Sequence, residues 1–343
     1  MNRAFSFALA ALFVGTVALA DLPHTTAETS NYQATTRHAD VVAFCNELSK
    51  QSPVVRVDSL GKSAEGRDLP LMVLSEPPVK SADEAKRSGK VIVLLWGNIH
   101  AGEVDGKEAL MMLARDIATG PDRELLKNLI ILIAPIFNAD GNERIAKGKR
   151  PSQGGPDEVG DRENSGGLDL NRDFVKLESP EVRALVKCMR TWDPLLMLDA
   201  HTTNGSRHRH TMTYDWPRHT NAQAVNDVAS KLVTAAGERM QKATGFVPFQ
   251  YGNFSRDRTQ WNTYPAEPRY GIQYAGLRGR VAVLSESYSY APYKDRVKAS
   301  LELARGVCQE AAAHTDELKK LRNAPPSPRL ALRNKLLPIA SKR

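Results

Sequence analysis

The stretch Val91–Ala118, "VIVLLWGNIHAGEVDGKEALMMLARDIA", decides how this chain folds. Val91 to Trp96 are apolar without alternation, the pattern of a strand buried on both faces. The run breaks at Gly97, passes His100 and Glu103, and enters a helical pattern over residues 104–118. A second apolar run, "NLIILIAPIF", follows. Strand, helix and strand in that order predict a right-handed parallel crossover.

Upstream, residues 37–50 read as a helix, and "VVRVDSL" and "LPLMVLS" as two strands joined by the glycine-containing "GKSAEGRD", a hairpin. Downstream, residues 138–178 lose all periodicity and are rich in Gly, Asp, Asn, Arg and Lys. A loop of that length inside a domain is either functional or disordered. Order returns at Ser179, a suitable N-cap, with Pro180 at the first helical position and Val182, Leu185, Val186 and Met189 as a stripe. The strand "PLLMLDAH", a helix near 221–243, an irregular Tyr-, Arg- and Pro-rich stretch, the strand "RVAVLSES" and a helix over 292–321 complete the chain. The expected fold is therefore α/β, a single domain with a mixed, largely parallel twisted sheet flanked by helices.

A chain of 343 residues that is 41% hydrophobic buries a large core and is not disordered. Residues 1–20 carry Arg3, an apolar stretch from Phe5 to Val17, and Ala18-Leu19-Ala20 as a small-x-small cleavage site, which reads as a secretory signal peptide. On that reading the mature protein is exported, periplasmic or secreted, without stable membrane insertion. Residues 21–324 form the expected catalytic domain and residues 325–343 a basic tail. Three cysteines, Cys45, Cys188 and Cys308, exclude a disulfide scaffold and read as buried thiols. Much of the net charge of +8 sits in the tail, where Arg329, Arg333, Lys335, Lys342 and Arg343 meet no acid. Prolines and the lack of aromatics make it a solvated terminus rather than a nucleic-acid surface.

Three strands run into polar residues: the first into His100 and Glu103, the second into His201, the third into Glu286. Ligands of open α/β sheets bind beyond the carboxyl ends of strands, so these side chains can share one crevice. Two imidazoles and one carboxylate form a ligand set for a catalytic zinc with an open fourth position. Spacing alone carries nothing here, because His314 and Glu317 repeat it on the last helix. The strand ends distinguish the first pair.

Five segments, "GNIHAGEVDGKEA", "FNADGNER", "GLDLNRDF", "LMLDAHTTNG" and "VLSESYSYAPYKDRV", resemble the zinc carboxypeptidase family of the carboxypeptidase A type in order and spacing. "SLGKSAEGRDLPLMVLS" resembles its opening hairpin, so the likeness runs over about residues 32–315. The resemblance implies one zinc ion (Zn2+) held by His100, Glu103 and His201, with Glu286 as the general base and Asp169 orienting the ring of His100. Asn171 and Arg172 would bind the free C-terminal carboxylate of a peptide substrate, a task suited to a guanidinium fork. The family also needs an arginine for the oxyanion. Arg144, Arg150 and Arg162 are available, and "KRPSQ" around Arg150 is the nearest fit. A tyrosine capping the substrate would be Tyr264, by its separation from Glu286, with Tyr270 and Tyr274 as alternatives.

Two departures bear on the expectation. The family's Asn-Pro-Asp-Gly turn is Asn138-Ala139-Asp140-Gly141 here, which loses rigidity but no ligand. Only a short stretch separates the expected cleavage point from the first helical segment, so no long inhibitory pro-segment is expected. His208 and His210 in "SRHRHT" read as solvated loop residues rather than extra ligands. An amidase, an N-acyl amino acid deacylase or a cell-wall peptide hydrolase would use the same zinc and fold. A non-catalytic peptide-binding relative would have no need of Glu286.

Overall fold

The computed structural model describes residues 22–323 except 221, so the expected signal segment and the basic tail lie outside the described residues. The apolar runs become β1 (Val55–Lys62), β2 (Asp68–Leu74), β3 (Val91–Gly97), β4 (Leu129–Ala134), β7 (Leu196–Thr202) and β12 (Val281–Ser287). Between them lie β5 (Ala146–Lys147), β6 (Glu158–Val159), β8 (Met212–Asp215), β9 (Phe249–Gln250), β10 (Asn253–Phe254) and β11 (Trp261–Asn262). The helices are α1 (Thr26–Thr29), α2 (His38–Gln51), α3 (Ala82–Arg87), α4 (Asp105–Thr119), α5 (Ala139–Glu143) and α6 (Pro180–Trp192). They continue with α7 (Gln223–Thr244), α8 (Gly271–Leu277), α9 (Tyr293–Ala313) and α10 (Thr315–Lys320).

Eight strands form the main sheet in the order β1-β2-β4-β3-β7-β12-β8-β9. β3 is parallel to both β4 and β7, and β7 to β12, which makes the expected β3-α4-β4 unit a parallel crossover. β1, β2 and β4 pair antiparallel, as do β12 and β8, so the sheet is mixed. Every residue of β3, β4, β7 and β12 is buried, as the unbroken apolar runs require. Each Val, Leu or Ile so removed from water contributes about 1.5–3 kcal/mol before chain entropy is counted.

Close approach of α4 to the sheet sets the site. A Cβ on Gly106 would lie 2.4 Å from the Cβ of Ala200, so only glycine lets the first turn of α4 rest on β7. Residues 138–178, expected to be aperiodic, are ordered by side-chain caps rather than by periodicity. Asn138 Oδ1 accepts from the Gly141 amide at 2.9 Å and starts α5; Asp169 Oδ1 accepts from the Asn171 amide at 3.0 Å and starts a 3-10 turn, Leu170–Arg172. Asp140 accepts from Ser63 Oγ, the Glu65 amide, Arg67 Nη1 and Ser165 Oγ, tying α5 to the β1–β2 hairpin.

The last helix differs from its expected span: α9 ends at Ala313, and α10 starts after a break at His314. Sequence periodicity also passes over α3, α8 and β8, which are short. All three cysteines are buried free thiols, and burial pushes each of them up to about 12. Among the described residues no helix is long and apolar enough to cross a membrane.

Candidate active site

Parallel register brings the chemistry together. Gly97 of β3 lies opposite Ala200 of β7, and Glu286 of β12 opposite His201, so the three strand ends are level. The turn after β3 carries His100 and Glu103 and closes with the Glu103 amide donating to the His100 carbonyl at 2.9 Å. Glu103 then spans the two imidazoles. Its Oε1 is 3.0 Å from His100 Nδ1 and its Oε2 is 2.9 Å from His201 Nδ1. All three side chains are buried.

The donor set fits a metal ion. One ligand atom from each of His100, Glu103 and His201 falls within a 4.8 Å cluster, the one such group among the described residues. Each ring is backed at its far nitrogen: His100 Nε2 lies 3.0 Å from Asp169 Oδ1, and His201 Nε2 lies 3.0 Å from Asp199 Oδ2. Asp199 is fully buried, and its oxygens have no other hydrogen-bond partner among the described residues. A proton on each Nε2, shared with Asp169 or Asp199, would leave each Nδ1 bare and aimed at Glu103, the carboxylate–histidine arrangement of zinc sites. Sequence reading placed Asp169 but passed over Asp199, whose only signal is its position two residues before His201.

His100, Glu103, His201 and Glu286 face a cavity of about 150 Å³. Arg162, Asn171, Arg172, Thr202, Asn204, Tyr251, Tyr264, Tyr270, Ile272 and Leu284 complete its wall. Glu286 is buried, and burial first, opposed by His201, pushes its carboxyl up to about 8. A base with a pKa near neutrality is suited to proton transfer, and a divalent cation held nearby would pull the value down again.

Asn171 and Arg172, the pair expected to bind a carboxylate, are braced from one segment. Asn171 Oδ1 accepts from the Gly271 amide at 2.9 Å, and the Arg172 guanidinium lies 4.5 Å over the ring of Tyr270. Arg172 Nη1 also donates to the Asn171 carbonyl at 2.8 Å, which fixes the fork beside the cavity.

The arginine expected to face the oxyanion, Arg150, is not in the cavity wall, whereas Arg162, one of its two alternatives, is. Arg150 packs behind Glu103, with Nη2 3.0 Å from Glu103 Oε1 and donating to the Thr202 carbonyl at 3.1 Å. Arg162 lines the cavity, with Nη1 3.3 Å from His100 Nδ1 and the rest of its guanidinium held by Asp169 Oδ2 at 2.8–3.1 Å. The physical reason is Gly102, where a Cβ would meet Arg150 Cγ at 2.7 Å and the Gly160 carbonyl at 2.8 Å. Arg150 passes under the ligand turn there instead of over it.

Tyr264 is in the wall, and its hydroxyl accepts from Gln273 Nε2 at 3.0 Å. Tyr270 lines the cavity as the support of Arg172, whereas Tyr274 packs on Phe174. Tyr251, which sequence reading did not single out, faces Glu286, and that carboxylate is the main cause pushing its phenol upward.

A buried ion pair supports the His100–Glu103–His201 cluster from below. Asp105 Oδ2 accepts from Arg296 Nε at 3.0 Å, Thr202 Oγ1 at 2.6 Å and Ser287 Oγ at 2.7 Å, while the Thr202 amide donates to Glu103 Oε2 at 3.1 Å. The first turn of α4, the end of β7 and the end of β12 are thereby locked together. Nothing in the sequence relates Asp105 to Arg296.

His208 and His210 lie outside the His100–Glu103–His201 cluster, and neither is the simply solvated residue expected. The His208 ring lies tilted 4.2 Å from that of Tyr288, and His210 stacks 4.8 Å from Phe249.

Comparison with known proteins points to one family. The family model described as "Zinc carboxypeptidase" matches residues 41–307. Carboxypeptidase D of Mus musculus is 33% identical over 162 residues, 40% of this chain and 12% of that protein. Carboxypeptidase E of Caenorhabditis elegans is 34% identical over 148 residues, 41% of this chain and 30% of its own length. The matched stretch thus spans well under half of these relatives. Among solved structures, a metallo-carboxypeptidase from Burkholderia cenocepacia superposes with a TM-score of 0.58 at 18% identity, over 80% of this chain and 68% of the other. At that identity the likeness speaks for the fold.

Proposed function

The chain belongs to the zinc carboxypeptidase family, and on that footing we propose that it hydrolyses the C-terminal residue from peptides. The observation that carries the proposal is one cavity holding the His100–Glu103–His201 cluster, the buried carboxylate of Glu286 and the forked guanidinium of Arg172. His100 Nδ1, Glu103 and His201 Nδ1 would hold the zinc. When bound, zinc acidifies a water and polarises the scissile carbonyl.

The chain's own groups supply the rest. Arg172, with Asn171 beside it, binds the terminal carboxylate and sets the position of the scissile bond. Glu286 takes a proton from the attacking water on its carboxylate and passes it to the leaving amine nitrogen. Arg162 lies beside the ligand atoms and faces the charge that develops on the carbonyl oxygen. We assign it the oxyanion role that sequence reading gave to Arg150. Tyr264 closes the wall over the bound residue. Tyr251, Tyr264, Ile272 and Leu284 are the uncharged aromatic and aliphatic part of the wall, and neither Asp257 nor Glu267 lines it. A neutral or apolar C-terminal residue fits best. Export follows from reading residues 1–20 as a signal.

Peptides with free and with amidated C-termini test the reading. The purified protein is expected to release single residues from the free series only, and a chelator should stop it until zinc is restored. Equal cleavage of the amidated series, or activity indifferent to chelation, would overturn the proposal.

The two arginines separate by their kinetics. Arg162→Gln should lower kcat by about 10²–10³-fold at unchanged zinc content, the range for loss of one oxyanion donor. Arg150→Gln leaves Glu103 short of its buried partner and should show mainly as weaker zinc retention and lower Tm. The opposite pattern in metal analysis and steady-state kinetics would return the oxyanion role to Arg150.

A further inference from the structure

We propose that an arginine-flanked aromatic shelf at the mouth of the cavity binds the residues upstream of the scissile bond and favours acidic ones. The inference deepens the carboxypeptidase reading and rests on it. A cavity of about 150 Å³ has room for one benzene-sized group. With the terminal carboxylate on Arg172, the C-terminal residue fills it, and the rest of the peptide must cross the mouth.

The shelf begins at the cavity wall. Asn204 lines the cavity and leads into residues 205–210, which are tied to the β10–β11 hairpin by the Ser206 amide donating to Asn253 Oδ1 and the Phe254 amide donating to Ser206 Oγ, both at 2.8 Å. Tyr288, two residues past Glu286, accepts from the His208 amide at 3.0 Å and lies tilted against its ring. Trp261 in turn meets His208, Phe249 and Phe254 with ring centroids 5.0–5.9 Å apart. Phe249 and Phe254 remain 47% and 42% exposed, so the rings form a surface and not a core.

Guanidinium groups border this surface. Arg207 lies 4.8 Å over the Tyr290 ring, and Arg209, Arg256 and Arg258, on the same two segments as the rings, are exposed. None of the four is in an ion pair among the described residues, although most of the other arginines are. The only acid of the two segments is Asp257, and its carboxylate is taken up by Ser255 and Thr259. Free forks beside open rings match a peptide chain that carries carboxylates: the forks take the charges and the rings take the backbone and apolar side chains.

Three peptides with one shared C-terminal residue and Glu, Ser or Lys at the preceding positions test this. We expect kcat/KM for the Glu peptide to exceed that for the Ser peptide by about fivefold to twentyfold at low salt, from two exposed charge pairs. The preference should shrink as salt screens it. In the variant with Arg207, Arg209, Arg256 and Arg258 all changed to Ser, checked for folding by circular dichroism, it should fall to about twofold or less. Equal rates for the Glu and Ser peptides, or a preference that survives in the variant, would overturn the shelf.

Binding gives a second readout that is independent of turnover. The labelled Glu peptide should bind zinc-loaded Glu286→Gln more tightly than the Lys peptide, by fluorescence anisotropy. If no peptide is hydrolysed, the carboxypeptidase reading fails, while the anisotropy series still decides the shelf. Displacement of the Glu peptide by an equal concentration of single-stranded oligonucleotide would assign the surface to nucleic acid and overturn the inference.

Discussion

Glu286→Gln is expected to lower kcat by about 10²–10⁴-fold, the range for loss of a positioned general base. That corresponds to about 3–5 kcal/mol on the barrier at 1.36 kcal/mol per tenfold. The change is nearly isosteric, and Glu286 is not in the ligand cluster, so zinc content should stay at the wild-type level. Peptide affinity, measured with a slowly cleaved substrate, should stay within about threefold, because the proposed reading puts the terminal carboxylate on Arg172 and not on residue 286. A fall in kcat accompanied by loss of zinc would mean that Glu286 acts on the metal site. A variant retaining more than about a tenth of wild-type kcat would remove it from proton transfer altogether.

His201→Ala should abolish both zinc retention and activity, the latter by at least about 10³-fold. It should also cost stability. The ring of His201 separates Glu103 from Asp199; Glu103 keeps Arg150, but removal of the ring leaves Asp199 a buried carboxylate with no partner. Uncompensated buried charge of that kind costs about 3–5 kcal/mol. Thermal denaturation should therefore show a lower Tm than the wild type stripped of metal by a chelator, which still has the imidazole. The molecule contains its own control. His314 and Glu317 repeat the spacing of His100 and Glu103, yet His314 Nδ1 lies 3.0 Å from the Glu310 carbonyl, and Glu317 pairs with Lys231 at 2.7 Å. His314→Ala should leave zinc content unchanged by metal analysis, and a loss there equal to that of His201→Ala would undo the ligand assignment.

The legible part of the fold is the part governed by burial. β3, β4, β7 and β12 are buried along their whole length, and an unbroken apolar run is the direct trace of that state. α6 was legible for a different reason, since Ser179 and Pro180 are local start signals that act through neighbouring backbone amides. The order of residues 138–178 was not legible. It comes from Asn138, Asp140 and Asp169 satisfying amides and guanidinium groups, some of them distant in sequence, and polar residues of this kind leave no periodic pattern.

The same division runs through the site. His100, Glu103, His201, Glu286, Asn171 and Arg172 could be named from the sequence because strand ends and short motifs mark them. Residue type and local order, with the resemblance of five segments, pointed to the family and to the donor set and acid–base group proposed here. Which arginine faces the cavity, which tyrosine supports Arg172, and what backs the second imidazole were decided only by tertiary structure. Arg150 and Arg162 are chemically identical and belong to one loop, and a side chain's role there depends on which side of Gly102 the backbone passes. Asp199, Asp105 and Arg296 act across strand and helix contacts separated by up to 191 positions. Charge pairing across such distances is set by packing in three dimensions, and a linear order of residues carries no record of it.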